Sequence, residues 1–246
     1  MTLEEARRLV GDKWQGPGWQ RRGLRADVED WLLNVSVLEA VGALGYHKVW
    51  NWHILDLVQK VNDVRLIPIV LEKLYKYKVL ETEGDLIQGL AKPMYKAAVP
   101  ALIERYKSIE LPLTPENEYI DSNEKRIDFR HSIAYTLSKI KCKDYSNDYL
   151  ELITNKDYVL GCDEIIVLLC RLKERRAIEP MLSLLEKYPK QYKWDVLGNI
   201  GWYRDPELIK YVEPFLKDSD GEFRQMAKRA IEWLMKGAKE HGEIEA

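Results

Sequence analysis

Val212-Glu213-Pro214-Phe215-Leu216-Lys217-Asp218-Ser219-Asp220-Gly221-Glu222-Phe223-Arg224-Gln225-Met226-Ala227-Lys228-Arg229-Ala230-Ile231 is the stretch whose reading decides the fold. Two apolar-periodic segments flank the acidic, glycine-bearing turn Asp218-Ser219-Asp220-Gly221. The second carries apolar residues near i, i+3, i+4 and i+7 as far as Leu234, the period of a helix with one buried face. The pattern predicts a helix, a short turn and a second helix.

The first of these segments has counterparts upstream. A proline inside an apolar helical pattern recurs in Ile67-Pro68-Ile69-Val70-Leu71, Val99-Pro100-Ala101-Leu102 and Ile178-Glu179-Pro180-Met181-Leu182. Pro68 to Pro100 is 32 residues and Pro180 to Pro214 is 34. Stepping back 32 from Pro180 reaches Asp148 in Asp148-Tyr149-Leu150-Glu151-Leu152, a matching segment without the proline. Pro100 to Asp148 is 48 residues, and the surplus coincides with Leu111-Pro112-Leu113-Thr114-Pro115-Glu116-Asn117-Glu118. An insertion between the two helices of one repeat is therefore expected over about 110–126, the longest irregular connection of the chain.

The second segment has counterparts in Phe129 to Ile140, Cys162 to Leu172 and Tyr192 to Trp202, and Val35 to Gly45 has the same character. Two helices in every ~32 residues is the arrangement of stacked helix pairs. No such pair buries its apolar face alone, so neighbours must share a continuous core.

These segments resemble HEAT repeats, whose first helix carries an Ile-Pro-x-Leu-x-x-Leu pattern and whose second carries Val-Arg-x-x-Ala-x-x-Ala-Leu. Residues 212–231 match best, with the acidic turn and Arg224 where the family has them. The resemblance covers about 65–236. It departs at Glu164 and Trp194, which stand near the family's arginine, and at Asp148, which stands for the proline. It implies an all-α fold, a right-handed solenoid of about six helix pairs over 31–236, in which the prolines kink the first helices and set the curvature. Residues 1–30, with Gly16-Pro17-Gly18, Trp14, Trp19, Arg21, Arg22 and Arg25, are expected to form a cap or a partner-binding arm. Residues 237–246 are expected to be a fraying tail.

Composition limits the function. Hydrophobic residues make up 46% and charged residues 32% of 246, which excludes disordered and fibrous classes. The 38 basic against 40 acidic residues lack the excess that phosphate backbones demand, which argues against nucleic acid. No apolar run spans a bilayer and Glu4, Glu5, Arg7 and Arg8 occupy the place of a signal peptide, so no membrane role and a cytoplasmic location are expected. Cys142, Cys162 and Cys170 have no metal-ligand or disulfide spacing and are expected to be buried thiols. The aromatic complement, 8 Trp and 14 Tyr against 3 Phe, favours rings with a polar handle, as binding surfaces do.

No motif for catalysis, phosphate binding or metal ligation occurs, His47 and His53 being six residues apart with no partner at ligand spacing. No cofactor or metal is therefore expected. Among enzymes, the resemblance points to alkylpurine DNA glycosylases, short helical solenoids with Trp, Arg and Asp in a basic groove; bilin-lyase-like and deoxyhypusine-hydroxylase-like roles are set aside, the latter because its paired His-Glu motifs are absent. Trp194-Asp195, with Trp202 two turns on, is the nearest match, and a nucleic-acid-binding enzyme of that type is the alternative reading.

The favoured expectation is a non-enzymatic module that binds another protein, as a scaffold, an assembly factor or an inhibitor of immunity type. Its contacts would be the early residues of the second helices on the concave face: Arg130, Asp163, Glu164, Lys193, Trp194 and Arg224. Arg130 and Arg224 have an alternative role as intramolecular braces of the acidic turns, here Asp218 and Asp220 for Arg224. Trp50 and Trp52 form the densest aromatic cluster, either filling gaps against the cap or exposed as an interface hot spot.

Overall fold

The computed structural model describes residues 24–46, 58–77, 79–109 and 121–242. Within them the chain is helical, and no strand occurs among the described residues. The helices are α1 (Leu24–Ala43), α2 (Leu66–Lys73), α3 (Leu80–Gln88), α4 (Val99–Lys107), α5 (Asp121–Ile140), α6 (Ser146–Thr154), α7 (Asp163–Arg171), α8 (Ile178–Lys187), α9 (Pro189–Asn199), α10 (Ile209–Val212) and α11 (Gly221–Gly242). 3-10 segments precede α4, α6, α8 and α10 at Pro93–Ala98, Lys143–Tyr145, Arg175–Ala177 and Pro206–Leu208.

The chain divides into two compact units, Met1–Ile140 and Lys141–Ala246. In the first, α3 packs along α5, α4 packs on α5, and α1 meets α2. Leu86 and Ile87 of α3, Leu102 and Ile103 of α4, and Phe129, Ile133 and Leu137 of α5 supply its core. In the second, α6 pairs with α7, α8 with α9 and α10 with α11, while α7, α9 and α11 pack side by side in that order. Central position explains α7: Ile165-Ile166-Val167-Leu168-Leu169-Cys170 is buried all round, so a β-branched run forms a helix where neighbours cover every side.

The period is visible in the backbone. Lys141, Lys173 and Arg204 are left-handed, with φ of 54°, 53° and 51°, each where a second helix gives way to the next first helix. Their spacings are 32 and 31 residues. By this register Asp148 is the counterpart of Pro180, as the sequence suggests, but the next counterpart is Tyr211 and not Pro214. Pro214 lies in the 3-10 segment Glu213–Lys217 that directly follows α10.

The prolines do not kink long helices. Pro68 and Pro180 are the third residues of α2 and α8, and Pro100 is the second of α4. In the first turn the backbone N–H has no intrahelical acceptor, so proline loses nothing there and its fixed φ favours starting the helix. The expected insertion is also shorter than 110–126. Residues 110–120 lie outside the described part, but 121–126 are the start of α5. At the other end α11 continues to Gly242, so 237–242, expected as tail, are helical.

The tyrosines serve the interior. Tyr77, Tyr95, Tyr106, Tyr149, Tyr192 and Tyr203 are buried. The Tyr95 hydroxyl donates to the Val61 carbonyl at 2.7 Å, Tyr203 to the Glu174 carbonyl at 2.9 Å, and Tyr192 to the Val159 carbonyl. Each ring fills core volume while its hydroxyl satisfies a loop carbonyl about one repeat earlier, a task phenylalanine cannot perform. Three of the 14 tyrosines thus have an interior role in place of the binding role that the composition suggests.

One buried ion pair had no signature in the pattern. Glu83 is fully buried on α3 and accepts from Nε and Nη2 of Arg105, each at 2.8 Å, and from the backbone N–H of Tyr75 at 3.0 Å. The Arg105 guanidinium lies 4.4 Å from the Tyr75 ring centroid and 4.8 Å from that of Phe129. Tyr75 itself is left-handed, with φ of 67°.

Candidate functional site

Six of the eight candidate residues lie in the described part of the chain, and burial removes one of them from the surface set. Arg130, expected on an exposed face, is 1% exposed. Its guanidinium donates to the Ile109 carbonyl and lies 5.0 Å from the Tyr106 ring centroid. The alignment with the family arginine is thus met by an interior group, and Arg130 is removed from the surface set. Trp50 and Trp52 lie outside the described residues. The remaining five belong to α7, α9 and α11 of the second unit.

Asp163 and Glu164 are half-buried in the first turn of α7, where carboxylates suit the positive end of the helix dipole. Lys193, on α9, is also half-buried. It pairs with Asp218, and its Nζ lies 4.0 Å from the Phe223 ring centroid. Arg224 is exposed, and its Nη1 donates to the carbonyls of Asp218 and Ser219 at 2.6 and 2.9 Å. Asp218 accepts from Asp220 N–H at 2.9 Å and Asp220 from Glu222 N–H at 2.8 Å. Lys193 and Arg224 therefore brace the acidic turn, which is the intramolecular alternative, although Arg224 grips carbonyls and not carboxylates. The hydrogen bond from Lys193, followed by that from Asp220 N–H, holds the Asp218 carboxyl below its ordinary range.

Trp194 stands apart from this brace. It is 47% exposed, and its ring meets Phe223 edge-on at 5.7 Å. Beyond it, two glycines let α11 approach closely. A Cβ on Gly198 would meet Met226 Cε at 3.2 Å, and one on Gly201 would meet Trp233 Cβ at 2.8 Å. Trp202, in the 3-10 turn Ile200–Tyr203, meets Trp233 edge-on at 5.1 Å, and Trp233 is 40% exposed. The result is a seam between α9 and α11 with an aromatic pair at each end and a methionine between them. Phe223, Met226 and Trp233 were not singled out from the sequence. The spacing Gly198-Asn199-Ile200-Gly201 was the available signal, since small residues one turn apart on a helix permit close packing.

Asp195, the candidate acid of the alternative reading, is half-buried on α9, and its backbone carbonyl accepts from the Asn199 side chain at 2.9 Å. The three thiols are buried, and burial pushes those of Cys162 and Cys170 far up. No group of His, Cys, Asp or Glu among the described residues is placed to hold a metal ion, and no described helix is long and apolar enough to cross a membrane.

No protein-family model matches the chain, and no curated protein matches it. The functional reading therefore rests on the seam and its surroundings.

Proposed function

We propose that this chain is a non-enzymatic protein-binding module, an HEAT-like right-handed solenoid whose second helices form the recognition face, acting in the cytoplasm as a scaffold, assembly factor or inhibitor. The observation that carries the reading is Trp194, a large aromatic left nearly half in water on a second helix, beside an intramolecular brace that holds Lys193 and Arg224 in place. Tryptophan is the residue type most enriched among those that dominate interface energies. Phe223 meets the ring edge-on and leaves it largely uncovered. The unpaired, buried thiols suit a reducing compartment.

The test is capture by the immobilised chain from an extract of its native cells, compared with a Trp194→Asp variant whose melting temperature is measured in parallel. A surface change of this kind shifts stability by less than about 1 kcal/mol, so the variant should remain folded while its partner is lost. Retention of the same proteins by the folded variant, or of none by the wild type, would count against the proposal.

A further inference from the structure

A groove of about 330 Å³ lies between α6 and α8 of the second unit, on elements that carry none of the candidate residues. Glu179, Pro180, Ser183, Leu184 and Lys187 of α8 line it at steps of one, three, one and three residues, which places them on one face of the helix. Its other wall is Ile153 and Thr154 at the end of α6, with Lys156 and Val159 in the turn that follows. Ile153, Val159 and Leu184 are buried and make the floor apolar. The volume stands at the lower end of the range of small-ligand sites.

The two ends of the groove differ in charge. Glu179 is the second residue of α8 and Lys187 the last, eight residues apart, a rise of ~12 Å at 1.5 Å per residue. In the 32-residue register set by Lys141 and Lys173, Lys156 is the counterpart of Tyr188, so it stands at the Lys187 end. Both lysines are exposed, and no ion pair among the described residues engages either. Carbonyls at the adjoining helix ends have other donors. Asn155 N–H donates to the Glu151 carbonyl and the Thr154 hydroxyl to the Leu150 carbonyl, each at 2.9 Å, and Tyr188 N–H to the Leu184 carbonyl at 2.8 Å. Glu179 is the one acid of the lining, and Asp157 and Glu186, next to the lysines in sequence, lie outside it.

We infer that this groove binds a linear, medium-chain monocarboxylate, with its carboxylate at Lys156 and Lys187 and its alkyl chain along Ile153, Val159 and Leu184. Two unpaired ammonium groups call for one anion at that end. The apolar floor calls for a chain that gains by leaving water. Glu179 repels a second carboxylate at the far end and accepts an uncharged tip. An extended chain advances at most ~3.6 Å per three bonds, so about ten bonds cover the ~12 Å between the ends. The site is separate from the Trp194 face and does not depend on the protein-binding reading.

The experiment is isothermal titration calorimetry of the full chain with decanoate, decylamine, decanedioate and the tripeptide acetyl-Ala-Leu-Leu. Decanoate should bind with a Kd below roughly 1 mM, and decylamine and decanedioate about tenfold or more weakly. Lys156→Glu with Lys187→Glu should reverse the order of decanoate and decylamine. Glu179→Gln should bring decanedioate to within about threefold of decanoate. Ser183→Leu narrows the groove from a half-buried helical position and should abolish decanoate binding, while the melting temperature without ligand moves by less than about 4 °C. Equal binding of decanoate and decylamine would reveal only an affinity for alkyl chains and overturns the inference. So does decanoate binding that survives the lysine reversals or Ser183→Leu in the folded protein, or no decanoate binding at roughly 1 mM. Tighter binding of the tripeptide than of decanoate overturns it too, in favour of a peptide C-terminus.

Discussion

Replacing Glu83 by alanine removes one half of the buried pair on α3 and leaves the other half behind. In the intact protein the carboxylate answers three donors: two from Arg105 and the Tyr75 N–H. After the change the guanidinium keeps its contact with Ser108 Oγ at 3.0 Å and the faces of Tyr75 and Phe129, but it has lost the carboxylate with which it pairs among the described residues. Leaving a buried charge without its partner costs about 3 to 5 kcal/mol. The left-handed Tyr75 loses its only carboxylate acceptor too, so the upper part of that range is expected. For a chain of this size the loss corresponds to a fall in melting temperature of about 10 °C. Urea unfolding followed by circular dichroism gives the free energy directly. The paired variant Glu83→Leu with Arg105→Met should lose less than the two single changes added together, with a coupling of about 2 kcal/mol or more, because it leaves no orphan charge. A loss under about 1 kcal/mol for Glu83→Ala, or plain additivity in the cycle, would show that water or a rearranged loop already answers the guanidinium.

Arg130→Ala should destabilise the protein by about 3 kcal/mol, whereas Arg224→Ala should cost about 1 kcal/mol or less; comparable losses in urea melts would contradict the burial of the first. Tyr192→Phe should cost about 1 to 2 kcal/mol by orphaning the Val159 carbonyl, and a neutral result would mean that the carbonyl is satisfied without the hydroxyl. The lowered Asp218 carboxyl contributes stability above the ordinary aspartate range, and that contribution disappears as pH falls through the ordinary value toward the lowered one. The stability gap between wild type and Asp218→Asn should accordingly be open at about pH 6 and closed well below about pH 4; a gap independent of pH refutes the brace. Burial holds Cys162 and Cys170 as neutral thiols, so a thiol reagent at about pH 8 should label them at the rate of unfolding. Their raised values add stability that is complete below the ordinary thiol range and declines as pH climbs through the folded-state values. Immediate labelling of the native protein would place them at the surface.

Within 212–231 the turn and the second helix were legible because their capping is local, whereas Val212 ends α10 and Pro214 falls in a 3-10 segment where a helix was expected. Asp218 and Asp220 cap by reaching two residues ahead, Gly221 opens α11, and Ala227 and Ala230 face the core at helical spacing. Arg130 was misread because its partner, the Ile109 carbonyl, is 21 residues away, and the residue type alone suggested the surface. Glu83 and Arg105 are hidden by the same distance, 22 residues, with no motif to join them. The stretch Asp121-Ser122-Asn123-Glu124 was assigned to the insertion for its polarity. Those residue types are also the ones that start helices, and here they open α5. Of the candidate site, Trp194 was visible as an aromatic near a helix start. The rest of the seam depends on which faces of α9 and α11 meet, which the apolar period leaves open for the flanking positions.

The tyrosine hydroxyls that reach back about one repeat have a consequence for how the chain is made. A ribosome delivers Val61 long before Tyr95, Val159 before Tyr192, and Glu174 before Tyr203. Each loop thus emerges with an unanswered carbonyl and waits about 30 residues of synthesis for its donor. At the roughly 5 to 20 residues per second of translation that wait is a few seconds, far longer than a helix needs to form. A chain cut before Tyr95, Tyr192 or Tyr203 therefore leaves the carbonyl of Val61, Val159 or Glu174 without its tyrosine donor, a mark by which such an incomplete chain differs from a complete one.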